Sequence, residues 1–393
     1  MPIGKILFVS DLAGFAGGIE RYIHQTAALL NRQGFSVYGL FGNPSREHEQ
    51  FIEPFEQIWS YQEVATIKMD FALVTVHKVT DPEFFELLCG YYQVTLFVHD
   101  HDCYCPRRYK YFPVGRRNCS LPYRRIFCGL CSLASSPRHW RQGLTNELID
   151  KFVRFPQAFR TLRRCHRMVV LSKFMRDNLV ANGIAVEKVF VLHPAVALPP
   201  PAEPREDHAN TRLIFTGQLI RGKGADLLLQ ALARLREPFS AEFVGDGNDA
   251  AMLHRLAEQL HLTDKVEFTG WLTQPELRFA TSDIAVLPFR WQEPFGLVGL
   301  EAMAHALPVV AFDVGGCREW LHDGNNGILV PAGDISQLAK ALDELIASPQ
   351  RGRAMGKYGR NLAAEQFSES KLVGGFQWLL ENQSENLQGT LGT

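Results

Sequence analysis

Short apolar, β-rich runs alternate with helical patterns along most of this chain, and the alternation comes in two series. Strands alternating with helices imply parallel βαβ units. In the first series the strand runs are Ile6–Ser10, Ser36–Phe41, Phe71–Val76, Val94–Val98, Met168–Leu171 and Lys188–Leu192. A helix pattern covers Gly18–Asn31, and Ser172 is placed to cap a second helix reaching about Ala181. A Pro- and charge-rich stretch, Pro199–His208, then breaks the pattern and reads as a linker over 199–211. The second series has runs at Leu213–Thr216, Ala241–Val244, Val266–Thr269, Ile284–Pro288 and Pro308–Phe312. Its helix patterns cover Asp226–Arg236, Ala250–Leu260, Leu297–His305 and Ile335–Ala347. The expectation is an α/β chain of two doubly wound parallel-sheet domains, 1–198 and 212–362. A further helix near Gly374–Asn382 and a polar tail follow. Ligands of such sheets bind beyond the carboxyl ends of the strands, so two of these domains are expected to face across a ligand cleft.

Length agrees with two domains rather than one core, since the chain has 393 residues. Hydrophobic residues at 46% and charged residues at 21% exclude whole-chain disorder. A net charge of -1 gives no global attraction to nucleic acid. The opening Met-Pro-Ile-Gly-Lys-Ile-Leu-Phe-Val-Ser reads as a first strand rather than a signal peptide. No apolar run reaches the ~20 residues of a membrane span. A cytoplasmic location is therefore expected, with the eight Cys mostly reduced.

Several strand ends carry glycine and charge. Asp11-Leu-Ala-Gly14-Phe-Ala-Gly17-Gly18-Ile-Glu20 opens the first helix. Its backbone N–H groups suit an anion, although a tight turn without a ligand reads the same way. It lacks the G-x-G-x-x-G spacing of a dinucleotide fingerprint, which disfavours hydride transfer. Gly217-Gln218-Leu-Ile-Arg221-Gly-Lys223-Gly224 follows the first strand of the second series, and Gly245-Asp246-Gly247 the next. Lys223 and Arg221 can neutralise a diphosphate there. Most informative is Glu293-Pro-Phe295-Gly296-Leu297-Val298-Gly-Leu-Glu301. Gly296 lets backbone approach a ligand, and the helix that follows offers N–H groups to phosphate. Glu301 can accept from a diol such as ribose, while Glu293 precedes the helix on a loop. A helix start flanked by two Glu is also common without any ligand.

Taken together these motifs resemble the retaining GT-B glycosyltransferases of family 4, over nearly the whole chain. The resemblance rests on Gly17-Gly18-x-Glu20, the His99-Asp100 pair, Ser172–Phe174, Gly217 with Lys223-Gly224, Gly245-Asp246-Gly247, Gly270-Trp271-Leu272, the Glu293-x7-Glu301 box and Val309-Val310-Ala311. It implies a nucleoside-diphosphate sugar, UDP- or GDP-linked, held by the second domain. Glu301 would take the ribose hydroxyls. Backbone N–H groups near Gly296, Leu297 and Val298 would take phosphate, and Gly270–Leu272 would lie beside the base. Lys223 would balance the leaving diphosphate in place of a metal ion, so no catalytic cofactor is expected. Glu293 would bind the sugar and stabilise charge at its anomeric carbon. His99 would lie near donor sugar and acceptor, with Gly17 and Gly18 approaching the diphosphate. The acceptor would be a glycan or lipid-linked glycan of a cell-surface polysaccharide, transferred to with retention. Segment 363–385 would pack back on the first domain, leaving a tail at 386–393. Two departures stand out. Gln218 occupies the position of a usual Arg, for which Arg221 is the candidate substitute. His193-Pro194-Ala-Val196 replaces a usual Asn-Gly-Val. A nucleotide-sugar epimerase and an inactive nucleotide-sugar-binding protein are the alternatives.

The segment 101–146 reads as an insertion with two features of its own. Cys105, Cys119, Cys128 and Cys131 are candidates for a structural zinc site, with Cys103 spare. Buried thiols or a disulfide are the other readings. From Cys103 to Asn146 there is no Asp or Glu, whereas Arg107, Arg108, Lys110, Arg116, Arg117, Arg124, Arg125, Arg138 and Arg141 fall among seven aromatic residues. That mixture suits an anionic membrane surface or a lipid-diphosphate acceptor, with the protein peripheral on the membrane. No nucleic-acid motif accompanies it.

Overall fold

The computed structural model describes residues 4–112, 117–134, 144–200, 210–272 and 274–382. They divide into two compact units: the chain up to Pro194 together with the segment from Glu369, and Ala195–Ser368. The tail from 383, linker residues 201–209, and Arg116, Arg138, Trp140 and Arg141 lie outside the described residues.

The strands of unit 1 are β1 (Lys5–Ala13), β2 (Ser36–Pro44), β3 (Gln57–Ser60), β4 (Leu73–Lys78), β5 (Val94–Val98), the short hairpin β6 (Tyr111–Phe112) and β7 (Arg117–Asn118), β8 (Arg167–Val170) and β9 (Val189–Val191). Apart from the hairpin they form one sheet in the order β3-β2-β1-β4-β5-β8-β9. Every pairing in it is parallel. Ile6–Val9 are wholly buried, which is why β1 reads as a continuous apolar run rather than an alternating one. The order reverses between β1 and β4, so the glycine loop after β1 lies beside His77 and Lys78 at the end of β4. The helix Glu369–Glu381 belongs to this unit. Its Phe376 stacks on Phe8 and Phe97 at 6.3 and 5.7 Å. The Arg167 guanidinium donates to the Leu379 and Asn382 carbonyls at 3.1 and 2.8 Å.

Unit 2 contains β10 (Thr211–Thr216), β11 (Phe239–Val244), β12 (Val266–Gly270), β13 (Ile284–Leu287), β14 (Val309–Phe312) and β15 (Gly327–Val330). They form a second parallel sheet, in the order β12-β11-β10-β13-β14-β15. Its reversal falls between β10 and β13. Two doubly wound sheets are thus present.

The sequence pattern missed β3 and β15, both short strands at sheet edges. It also missed the helix Pro349–Gln366, which carries unit 2 six residues beyond 362, to Ser368. Glycines at 352, 356 and 359 hide that helix, because glycine is a poor helix former. At least one is there for packing: a Cβ on Gly356 would stand 1.9 Å from the Ala306 carbonyl oxygen.

Candidate functional site

The reversal in unit 2 decides which side chains meet. Lys223 follows β10 and Glu293 follows β13, neighbouring strands, and the two residues are 70 apart in sequence. Lys223 Nζ lies 2.8 Å from Glu293 Oε2. Its ammonium also stands 4.9 Å from the centre of the Phe289 ring. Both charges are largely withdrawn from water, with side chains 23% and 11% exposed. Local chain geometry fixes each partner. Gly224 has φ 75°, and a Cβ there would strike the Pro288 carbonyl oxygen at 1.8 Å. The Glu293 carbonyl accepts from Gly316 N at 2.8 Å. Gly315, at φ 59°, presses so close that a Cβ would meet the same oxygen at 2.0 Å.

The helix Leu297–Ala304 starts directly after this pair, with Gly296 as its cap at φ 92°. Its first N–H groups, those of Leu297 and Val298, precede the first bond of the turn, from Gly299 N to the Gly296 carbonyl at 2.8 Å. The Glu293 side chain stands at the cap, its Cγ 3.4 Å from where a Gly296 Cβ would be. Trp320, fully buried, donates from Nε1 to the Phe295 carbonyl at 2.6 Å and lies against Gly296 and Gly299. It is the platform on which the helix start rests. Phe295 is itself 1% exposed and packs edge-on against Phe367, so its ring is core and only its backbone faces elsewhere. Glu301 is half-buried on the same helix.

The other predicted positions of unit 2 line up along the strand ends. Gly217 N donates to the Val244 carbonyl at 3.0 Å, and Gly245 N donates to the Gly270 carbonyl at 2.9 Å. These bonds place the Gly217, Gly245 and Gly270–Leu272 turns in one row. Asp246 accepts from Gly247 N at 2.7 Å, which gives its carboxylate a turn-forming role. Gln218 and Arg221 are exposed, and the Arg221 carbonyl accepts from Arg290 Nε at 3.1 Å. Trp320, Phe289 and the Gly315-Gly316 turn were missed by the motif reading. The paired glycines were a visible signal for the last of them.

In unit 1, Gly17 caps the first helix in an extended conformation and Gly18 opens onto free space. Gly18 is not demanded by a clash within the protein. Glu20 is buried and turns back to the loop: burial raises its carboxyl, while hydrogen bonds from its own N–H and that of Gly17 oppose the rise. It is a structural brace for the glycine turn.

His99 follows β5 and meets His77 of β4, with Nε2 of the former 2.9 Å from Nδ1 of the latter. Tyr22 packs edge-on against His99 at 5.0 Å. Burial, helped by the nearby Lys78 charge, pushes His99 down to about 3. It is therefore a neutral imidazole at physiological pH. Beside it Lys78 bridges Asp100, at 3.0 Å, and Asp102. Burial and the charge of Asp100 push the Asp102 carboxyl up to about 7. Burial would raise Asp100 as well, but hydrogen bonding with Asp102 and the Lys78 charge hold it below its ordinary value.

The zinc expectation falls on the insertion. Among the described residues no three His, Cys, Asp or Glu side chains converge as metal ligands. Cys105, Cys119, Cys128 and Cys131 share a neighbourhood, but Cys128 Sγ accepts from its own helix start, Arg124 N, at 3.3 Å. The amine of buried Lys110 sits near Cys105, Cys119 and Cys128 and donates to the Leu121 carbonyl at 2.7 Å. A cation of the protein thus already stands among these thiols. On the helix Arg125–Leu133, Ile126, Phe127 and Leu130 are 72%, 45% and 57% exposed.

Residues 201–362 match the family described as glycosyl transferases group 1. The matched residues fall within unit 2. Its sequence relatives include the D-inositol 3-phosphate glycosyltransferase of Streptomyces bingchenggensis, 33% identical over 52% of this chain and 50% of that protein. The GDP-mannose-dependent alpha-(1-6)-phosphatidylinositol monomannoside mannosyltransferase of Mycolicibacterium smegmatis is 35% identical over 39% of this chain and 43% of that protein. The chain thus spans about half the length of these curated relatives. A structure of HepE from Anabaena, in complex with UDP and glucose, superposes on 96% of this chain and 99% of that one. Its TM-score is 0.72 at 18% identity, which establishes a shared GT-B fold.

Proposed function

We propose that this protein transfers a glycosyl group from a nucleoside-diphosphate sugar to a hydroxyl of a glycan or lipid-linked acceptor, with retention of anomeric configuration. The observation that carries the reading is the Lys223–Glu293 ion pair at the cap of the helix Leu297–Ala304, inside the group 1 domain. Leaving-group departure makes a diphosphate more negative and the anomeric carbon more positive. Lys223 and the helix N–H groups answer the first change, and Glu293 answers the second. Because the two side chains hold each other before a ligand arrives, little reorganisation is left for the reaction. Glu301 accepts from the ribose hydroxyls, and the Gly270–Leu272 turn lies beside the base. Lys223 stands where other transferases use a divalent ion, so turnover continues in EDTA. Retention is the outcome that the family resemblance implies.

The donor base is UDP or GDP on this reading. A relative named for GDP-mannose and a GT-B structure holding UDP support both. The exposed Ile126, Phe127 and Leu130, among Arg107, Arg124 and Arg125, support a lipid-linked acceptor met at an anionic membrane surface. No helix among the described residues is long and apolar enough to cross a membrane.

The test is a thermal-shift panel of UDP-, GDP-, ADP- and TDP-sugars in EDTA, on wild type and Glu301→Ala. Stabilisation by one base in wild type alone is the expected result. Product analysis with an added acceptor then separates transfer from an epimerised donor or from binding without turnover. No shift with any nucleotide sinks the reading.

A further inference from the structure

In unit 2 the segment that follows β13 grips the Lys223 loop along its length. Arg290 N donates to the Gly222 carbonyl at 2.8 Å. Arg290 Nε donates to the Arg221 carbonyl at 3.1 Å, and Nη2 donates to the Asp226 carboxylate. One residue thus holds the two carbonyls just before Lys223 and a carboxylate in the first turn of the helix just after it, Ala225–Leu232. The Arg290 side chain is only 10% exposed. The residues beside Arg290 press as closely. A Cβ on Gly222 would fall 1.7 Å from the Trp291 ring, and one on Gly224 would strike the Pro288 carbonyl. Gly222 therefore admits no side chain. Three residues past Arg290 the same segment presents Glu293 to the Lys223 ammonium.

We propose that Arg290 is the positioning residue for Lys223: its guanidinium fixes the backbone on both sides of Lys223, so the ammonium keeps its place when a diphosphate draws it from Glu293. An ion pair between two loops holds them together only while it lasts. A donor diphosphate competes with Glu293 for the ammonium, and a lysine on a loose loop would then follow the anion. The bonds of Arg290 do not pass through that ammonium, so they persist while it changes partners. Asp226 already answers the charge of Arg290, which leaves Lys223 as the cation offered to a ligand. Arginine suits the role because its planar fork aims several donors in fixed directions, whereas a lysine offers one point charge. The effect on transfer rests on the glycosyl-transfer reading; the clamp on the loop does not.

Trace acetylation of the full chain, read by mass spectrometry, tests the clamp without any ligand. Exposed Lys340 serves as the internal reference. Lys223 should react slowly in wild type, faster in Glu293→Gln, and nearly as fast in Arg290→Met as in Glu293→Gln. A Lys223 rate that Arg290→Met leaves unchanged overturns the clamp. In the transfer assay Arg290→Met should lower kcat/KM at least about tenfold, because misplacing a reacting charge by about 1 Å costs that much or more. The same substitution in a Lys223→Ala background should change little, since an effect exerted through Lys223 has no other route. Where Lys223→Ala leaves no measurable turnover, the same cycle is read on nucleotide-sugar affinity. Losses that add in the double variant overturn the positioning role and make Arg290 a donor ligand or a general support. Urea midpoints of all variants separate lost activity from lost folding. Arg290→Lys, the milder change, keeps a charge opposite Asp226 without the fork and should recover only part of the loss. Wild-type activity and a wild-type labelling rate in Arg290→Lys overturn the role of the fork. A chain that transfers no sugar but shows the labelling pattern keeps the clamp and loses the transferase reading.

Discussion

At the residue scale, the candidate site is built on charges held in pairs away from water. Lys223 and Glu293 neutralise each other in unit 2, each mostly shielded from solvent. Lys223→Ala leaves a buried carboxylate alone beside a helix cap. Breaking such a pair costs about 2 kcal/mol where solvent still reaches it in part. Urea denaturation should show that loss, and nucleotide-sugar affinity should fall at least about tenfold, one charge-assisted hydrogen bond or more. In unit 1 the sign of the pH effect is set by Asp102. Its carboxyl is raised from 3.8 to about 7, so the folded state binds this proton more tightly than the unfolded one. The associated stability is full below pH 3.8 and fades as pH rises toward about 7. Asp102→Asn should flatten the thermal midpoint of unit 1 across that window and raise it above the upper end. An unchanged pH profile of melting would show that the carboxyl titrates normally.

Elements supply the precision that these pairs need. The helix Leu297–Ala304 is placed by a single buried indole, with Trp320 bonded to the Phe295 carbonyl and its ring under Gly299. A Cβ at Gly299 would lie 2.4 Å from that ring. Gly299→Ala should therefore destabilise unit 2 by about 1–3 kcal/mol through overpacking. It should also weaken donor binding by tilting the helix start, while Gly18→Ala, which meets open space, leaves folding unaffected. Equal stability of wild type and Gly299→Ala in denaturant would mean that Trp320 is free to move. Most of these elements were legible in the sequence. Wholly buried parallel strands write themselves as unbroken apolar runs, as at Ile6–Val9 and Val309–Phe312. The helix Pro349–Gln366 was not legible, because its three glycines, of which Gly356 packs closely against Ala306, erase a helical signal.

For the whole molecule, two parallel sheets and one returning helix account for the chain. Phe376 is buried against Phe8 and Phe97 of the first sheet although 368 residues separate it from Phe8. Unit 1 also carries the basic insertion and its exposed apolar helix face. The protein should sediment with anionic lipid vesicles, be released by high salt, and lose binding in Ile126→Ser/Leu130→Ser. Equal sedimentation with neutral vesicles would remove the electrostatic part of the argument, since exposed charges act only within about 10 Å in 0.1 M salt.

The sequence by itself determined the two βαβ series, the glycine turns at strand ends and the Glu293-x7-Glu301 box, because periodicity and turn chemistry are local properties. Only the tertiary structure decided that Lys223 closes on Glu293, that Phe295 belongs to the core, that Lys110 lies among the cysteines, and that His77 stands under His99. Each of these joins residues from separate strands or loops. Strand order sets most such meetings, and it is fixed by packing that no single stretch of sequence contains.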